Sequence, residues 1–325
     1  MTFHPTADQR ELITDAFSRP LDALLPLDRL HQADAAEPWA ALAELGIFGV
    51  GVDAELGGVG LSAVEEALLA TELGKRLAGP QILATMMAAH LAEGETLGEI
   101  AAGGLRVAPA VICGTRITIQ NGADADLLLL RREGDAALVP ASAVTDRTRI
   151  DDHHWTAPFE AAAHGPEVIG WASGEGLLRV RLIEAAALAG IAARAGEIAV
   201  DYAGFRQQFG HPIGAFQAIK HHCANMAMAA LAAGDLVTFA SAAVDQGRPD
   251  AAFQVEAALL LAIEAALGNS RLNIQVHGGI GFSEEASPHL LLKRAHLLVE
   301  AAGGAEAAAD RVAIQEAPMR RAPHN

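Results

Sequence analysis

A chain of 325 residues is long enough for one large domain, or two to three small ones, with a sizeable core. Its formal net charge of −17 repels polyanions and excludes nucleic acid as a partner, and two cysteines, Cys113 and Cys223, are too few for a disulfide framework. Hydrophobic residues make up 51% and the mean hydropathy is +0.24, yet the best apolar run, AALLLAI at 257–263, is closed by Glu264, well short of the ~18 residues of a membrane span.

No basic stretch followed by an apolar one opens the sequence, so the expectation is a cytoplasmic protein without a membrane. Aromatics at 4% and abundant alanine point to closely packed helices. Residues 6–101 read as helices, with a stripe at Leu42, Leu45 and Phe48 and a strong helix former from Ala63 to Leu77. Between them lies a Gly-rich loop, GVGVDAELGGVGLS, whose Ser62 is placed to cap the next helix with Glu65. The glycine spacing there matches no phosphate-binding fingerprint. From about 104 to 170 the texture changes to short runs rich in Val, Ile and Leu (RVAPAVICG, RITIQ, DLLLLRR, AALVPASAV) broken by Gly, Asn, Asp and Pro, which are strand and turn signals.

Helical periodicity returns over 175–205, 217–246, 250–276 and 288–302, as at Val255, Leu259 and Ile263. Asp250 reads as an N-cap, Gly278-Gly279 as a stop, and Gly268-Asn269 as a point where the third of these helices can kink. The last ~20 residues, rich in Ala and Arg with two Pro, are expected to fray. There is no internal repeat.

Two polar motifs stand out against this apolar background. In RQQFGHPIGAFQAIKHH, residues 206–222, Arg206 ends a long helix, Gly210 and Pro212 force a turn, and Phe216-Gln217 open the next helix. An Arg offers a planar fork of donors suited to phosphate, and Gln217 with the free N–H groups of a helix start can hold further oxygens. From the pattern alone, a connector whose Arg caps carbonyls is the favoured reading. In QVHGGIGF, residues 275–282, the Gly-Gly pair ends a helix and either caps it or lets a flat ligand come close.

Taken together, RQQFGHPIGAFQAI, QVHGGIGF and HLLLKRA, with LGIFGVGVDAELGGVGLSAVEEALLATELGK near the N-terminus, make the sequence resemble the acyl-CoA dehydrogenase family over most of its length. The resemblance implies a mostly α fold with a small β domain: an N-terminal helical domain (1–103), a reduced middle β domain (104–172) and a C-terminal four-helix domain (173–325). It implies FAD, with the ADP half held by a neighbouring subunit. Arg206, Gln208, Phe209, Phe216 and Gln217 match the region that contacts the pyrophosphate and adenine. Gln275, Val276, Gly278 and Gly279 match the segment covering the adenosine end.

Departures from the family pattern are equally specific. The family's reaction needs a carboxylate to take the α-proton of an acyl-CoA thioester, and a Glu in an apolar pocket is the usual device. The two positions where the family carries it are Val180 and Ala302 here, so no catalytic base is expected at either; Glu184, Glu300 and Glu306 are the nearest substitutes. The Thr-Glu-Pro and Gly-Ser-Asp strand motif is absent from GLRVAPAVICG, and the Trp-Ile-Thr-Asn-Gly that embraces the flavin ring reads TIQNG at 118–122. That asymmetry resembles the short subunit of heterotetrameric acyl-CoA dehydrogenases such as those acting on steroid side chains. It implies a second subunit carrying the catalytic Glu, an acyl-CoA substrate and an electron-transfer flavoprotein as acceptor. An autonomous homo-oligomer with a relocated Glu, and a non-catalytic acyl-CoA-binding or scaffold protein, are the other two readings. No metal site is expected: His221-His222-Cys223 point about 100° apart on a helix, and His153-His154-Trp155 after Asp151-Asp152 read as a polar turn.

Overall fold

Two capping boxes organise the N-terminal helices. Thr6 accepts from the Gln9 amide while the Gln9 side chain accepts from the Thr6 N–H, which opens α1 (Ala7–Ile13). Ser62 and Glu65 make the same reciprocal arrangement at the start of α4 (Ala63–Lys75), as their spacing predicts. Between these lie α2 (Arg19–Leu24) and α3 (Trp39–Glu44), and after them α5 (Pro80–Ala89) and α6 (Gly94–Ala101). The computed structural model describes residues 5–32, 37–114, 116–145, 147–149, 159–161 and 171–315. The His153-His154-Trp155 turn lies outside them.

Six strands follow: β1 (Val107–Cys113), β2 (Arg116–Ile119), β3 (Leu127–Arg132), β4 (Asp135–Pro140), β5 (Arg147–Arg149) and β6 (Phe159–Ala161). They form one sheet in the order β4-β3-β1-β2-β6-β5, with β1 and β3 parallel and every other pair antiparallel. Val107 and Leu129 join the main helical core, whereas Ala108, Ala110, Leu128 and Leu130 join a second, smaller core on the opposite face. Both faces of β3 are therefore covered, which explains a continuous run of four leucines in place of an alternating pattern.

The C-terminal half is built on α7 (Gly174–Phe205), α8 (Gln217–Asp245), α9 (Ala251–His277) and α10 (Pro288–Ala301). Small residues let the long helices come close. A Cβ added at Gly190 of α7 would lie 2.1 Å from the Thr71 carbonyl oxygen of α4, and one at Gly74 of α4 would lie 2.1 Å from that of Ala187, so these two backbones touch. Asn269, where a kink is expected, sits inside an unbroken α9 and donates to the carbonyls of Ala192 (2.9 Å) and Met226 (2.8 Å). The amide ties α7, α8 and α9 together, and tertiary hydrogen bonding outweighs the poor helix propensity of Gly268-Asn269.

Three expectations need correction. The first part of the stretch expected to fray is instead helical, because Gly304–Ile314 form a further helix, α11, that packs on α9 and buries Ala308, while residues 316–325 lie outside the described residues. Asp250 occupies the N-cap of α9 but makes no side-chain cap bond; its carboxylate accepts from the Arg248 guanidinium instead, at 2.8 Å. Finally, α8 and the α9 segment are each long and apolar enough, by length and composition alone, to cross a membrane, with a mean hydropathy of 1.6 over the best 18 residues. The run-length argument missed this because scattered alanines, not one leucine block, carry the hydropathy. About half of the α9 window (56%) is buried within the chain, against 33% for α8, so much of α8 keeps an apolar face without a cover.

Candidate functional site

The RQQFG stretch forms a short two-stranded projection from the end of α7. Arg206 leaves the helix in an extended conformation (φ −67°, ψ 121°) while its N–H still bonds the Tyr202 carbonyl. Gln207–Gln208 (β7) then pair with His211–Pro212 (β8) across a two-residue turn, Phe209-Gly210, with φ of +51° and +79°. Two consecutive left-handed residues are what a type I′ hairpin requires, and Gly supplies the second without strain. The hairpin closes with the Ile213 N–H on the Arg206 carbonyl (2.8 Å) and runs through Phe216 into α8. Phe216 offers no side-chain cap, so the first N–H groups of this 29-residue helix face outward beside Gln217.

The candidate side chains here point to solvent, whereas Ile213 packs on the main core. Arg206, Gln208 and Gln217 are exposed, Phe216 is 38% exposed and Phe209 is 89% exposed. Among the described residues the Arg206 guanidinium makes neither an ion pair nor a hydrogen bond to a carbonyl, so the carbonyl-capping role that the pattern also allowed is not what its side chain does. An unpaired Arg among exposed phenylalanines is a poor solvent surface and a good contact for a ligand or another chain.

The second motif lies at the far end of α9. Gly278 has φ +65° and ψ −143°, a conformation open essentially only to glycine, and a Cβ at Gly278 or Gly279 would meet nothing within 4 Å. These bare backbones, with Gln275, Arg271, Ile274 and Phe282, line an open cavity of about 280 Å³. Gln275 is exposed, whereas the Val276 side chain turns into the core at 5% exposure and can offer only its backbone. Tyr202 of α7 stacks on His277 of α9 (centroids 4.0 Å apart, 24° between planes), which joins the helix end that carries the hairpin to the helix end that carries the glycines. Burial pushes the His277 imidazole below its usual value, against the Asn273 carbonyl that holds its Nδ1–H, so at neutral pH a neutral ring serves this stack. Arg271 and Phe282 were missed as site residues. Arg271 lies one helical turn before Gln275 on the same face, so its spacing alone could have found it.

The expected base positions are closed. Val180 on α7 and Ala302 just beyond α10 are both fully buried. Glu300 and Glu306 are exposed on helix surfaces. Glu184, one turn beyond Val180, is 1% exposed and faces Arg131 of β3: Arg131 Nη1 lies 2.8 Å from Oε1, and Nη2 donates to Oε2 at 3.1 Å. Burial pushes its carboxyl upward and the Arg131 guanidinium works against that rise. The carboxylate is thus committed to an internal partner. Ala302 is pinned in turn, its carbonyl accepting from Arg311 Nη2 at 3.1 Å.

The two halves of an FAD fare differently here. Where the resemblance would place the ADP end, the exposed Arg206 and Gln217 and, around the open cavity, Gln275 and the glycine backbones have donors that suit a diphosphate and an adenosine. Where the resemblance would place the ring, Gln120 of the TIQNG stretch, Glu184 and Ala301 line a space of about 20 Å³, which does not fit an isoalloxazine.

Comparison with known proteins bears on the same elements. Residues 8–99 match the acyl-CoA dehydrogenase N-terminal domain and residues 170–316 the acyl-CoA dehydrogenase C-terminal domain. The acyl-CoA dehydrogenase FadE34 of Mycobacterium tuberculosis is 34% identical over 312 residues, 89% of this chain. This chain spans only 44% of that relative's length. The acyl-CoA dehydrogenase IpdE2 of the same organism is 29% identical over 270 residues, covering 79% of this chain and 80% of that one. In the ChsE4-ChsE5 complex, also from Mycobacterium tuberculosis, one solved chain superposes with a TM-score of 0.76 at 21% identity, over 98% of this chain and 100% of that chain, a likeness of fold.

Proposed function

This chain belongs to the acyl-CoA dehydrogenase family, whose members bind FAD, and from that premise we propose that it is a subunit of a heteromeric acyl-CoA dehydrogenase which completes the FAD site of a catalytic partner. The observation that carries the proposal is the contrast between the two ends of the site. The side chains of Arg206, Gln208, Gln217 and Gln275 project outward with no partner for them among the described residues, while both base positions are apolar and sealed.

In the assembled enzyme Arg206 and Gln217 would hold the pyrophosphate, and Gln275 with the Gly278-Gly279 backbone would cover the adenosine. Bound FAD supplies the hydride acceptor for α,β-desaturation of an acyl-CoA thioester. The carboxylate that takes the α-proton would come from the partner, because the two base positions hold Val180 and Ala302 and, among the described residues, the nearby Glu184 is already paired with Arg131. The exposed faces of Phe209 and Phe216 would be covered by the partner at the same time and would exclude water from the phosphate contacts. A chain of the ChsE4-ChsE5 complex shares this fold, in keeping with a heteromeric assembly, and so does a chain of the Tcur3481-Tcur3483 steroid acyl-CoA dehydrogenase, in keeping with a bulky acyl group such as a steroid side chain.

The test is co-expression with a candidate acyl-CoA dehydrogenase chain that carries the catalytic glutamate. The account expects a yellow complex in which both chains co-elute with FAD. Separate elution of the two chains, each colourless or each yellow, overturns it.

A further inference from the structure

Five buried or half-buried charges meet where the sheet joins the helices. Arg131 and Glu184 are each 1% exposed, and Arg131 reaches back to the Gly134 carbonyl as well (3.2 Å). Beside them Glu256 of α9, also 1% exposed, accepts from Arg181 of α7 and from Arg311 of α11 (3.0 Å). Arg311 then spans to the Glu133 carbonyl at the β3–β4 turn (3.2 Å) and to Ala302. On the other side Arg294, 2% exposed, donates to the Ala78 carbonyl. The bonds of Arg131, Arg181 and Arg311 bolt the sheet to α7, α9 and α11, and Arg294 ties α10 to the segment before α5.

The space this leaves is about 20 Å³, lined by Leu83, Gln120, Arg131, Glu184 and Ala301. One water needs roughly 10–15 Å³ and pockets for organic ligands run to about 300–1,000 Å³, so the gap admits a water and not a ring. It lies where the TIQNG stretch, the turn after Val180 and the residue before Ala302 converge. A buried ion pair is seldom the most stable filling for such a space, since apolar side chains of similar volume avoid the desolvation cost. Its two-point geometry does specify one docking of β3 on α7.

We infer that the Arg131–Glu184 pair replaces a flavin ring in this chain, filling and sealing the ring position so that the chain binds only the ADP end of a partner's FAD and holds no ring of its own. The inference rests on the proposed function for where the ring would lie. It predicts one FAD for every two chains of a mixed complex. It also predicts that the pair acts as a structural unit whose stability contribution needs no flavin.

The isolated chain tests it with FAD as the probe. Titration should leave flavin fluorescence unquenched and the melting temperature unchanged. Quenching that saturates at one FAD per chain overturns the inference. In parallel, Glu184→Leu strands a buried guanidinium and should lower the melting temperature by about 4–7 °C for a chain of this length, whereas Arg131→Met with Glu184→Leu should recover most of that loss. A double variant that melts as low as the single one, or a single variant that melts within ~1 °C of the parent, overturns the sealing role. None of these readouts involves the partner. A colourless co-expressed complex would sink the subunit reading and leave them standing, and flavin quenching in the isolated chain would sink the seal while the Arg206 contact could still be measured in the complex.

Discussion

Replacing Arg206 with Ala separates ligand binding from fold. The guanidinium is exposed and has no ion pair among the described residues, and the hairpin is closed by backbone bonds from Arg206 that Ala preserves. Surface changes of this kind usually fall within about 0.5 kcal/mol of neutral, so the flavin-free chain should melt as before. Across a subunit boundary the loss is different. A hydrogen bond to a charged group is worth about 1.5–3 kcal/mol, which corresponds to roughly a ten- to hundred-fold weaker affinity for FAD in the assembled complex. Arg206→Lys should recover only part of it, because an ammonium is a point charge without the planar fork. Equilibrium dialysis of the complex, read by flavin fluorescence, gives the affinity, and calorimetry of the flavin-free chain gives the stability. Full flavin affinity together with a lowered melting temperature would refute the reasoning and make Arg206 a structural residue.

Gly190→Ala places a methyl group 2.1 Å from the Thr71 carbonyl oxygen, so α4 and α7 must separate; a loss of about 1–3 kcal/mol is expected in denaturant titration, and an unchanged midpoint would contradict the close approach. For Glu72, burial would raise its carboxyl, but Lys75, Arg76 and Ser18 hold it down to about 2. A depressed folded-state value means its contribution is fully present above the ordinary value of 4.5 and is lost as pH falls toward 2, so the melting temperature should drop over that window and Glu72→Gln should flatten that part of the curve. The exposed apolar face of α8 carries Met228 (62% exposed) and Leu231 (66%), and Leu231→Glu should shift the assembly toward smaller species by light scattering; a parent chain that is already a monodisperse monomer contradicts that interface.

The long helices were legible because alanine and leucine recur at three- and four-residue spacing through α7, α8, α9 and α10, and glycine or proline marks most of their ends. The central strands were legible from Val, Ile and Leu runs between turn residues. By contrast, α11 was not: its Ala-rich sequence lacks a strong apolar stripe, and its stability comes from packing on α9, which no local pattern reports. Of the candidate site, the hairpin and the Gly-Gly end could be read because their chemistry is local to a few consecutive residues. The Arg131–Glu184 pair could not. In DLLLLRR the arginines read as a polar strand end, and only the fold carries Arg131 under α7 to meet a residue 53 positions later. The same applies to Glu256, whose partners Arg181 and Arg311 lie 75 and 55 positions away. Long-range ion pairs leave no period in a sequence, and a charged residue in an apolar helix face is the only sign of them.

Acyl-CoA-dependent reduction of a dye, measured for the purified chain alone and again with its glutamate-bearing partner, tests the central claim most directly. General-base catalysis contributes typically ~10²–10⁴-fold, so with Val180 and Ala302 at the base positions the chain alone should turn over at a rate lower by about that factor than the complex. Activity is expected only in the complex. Full activity from the chain alone, with FAD added, would contradict it.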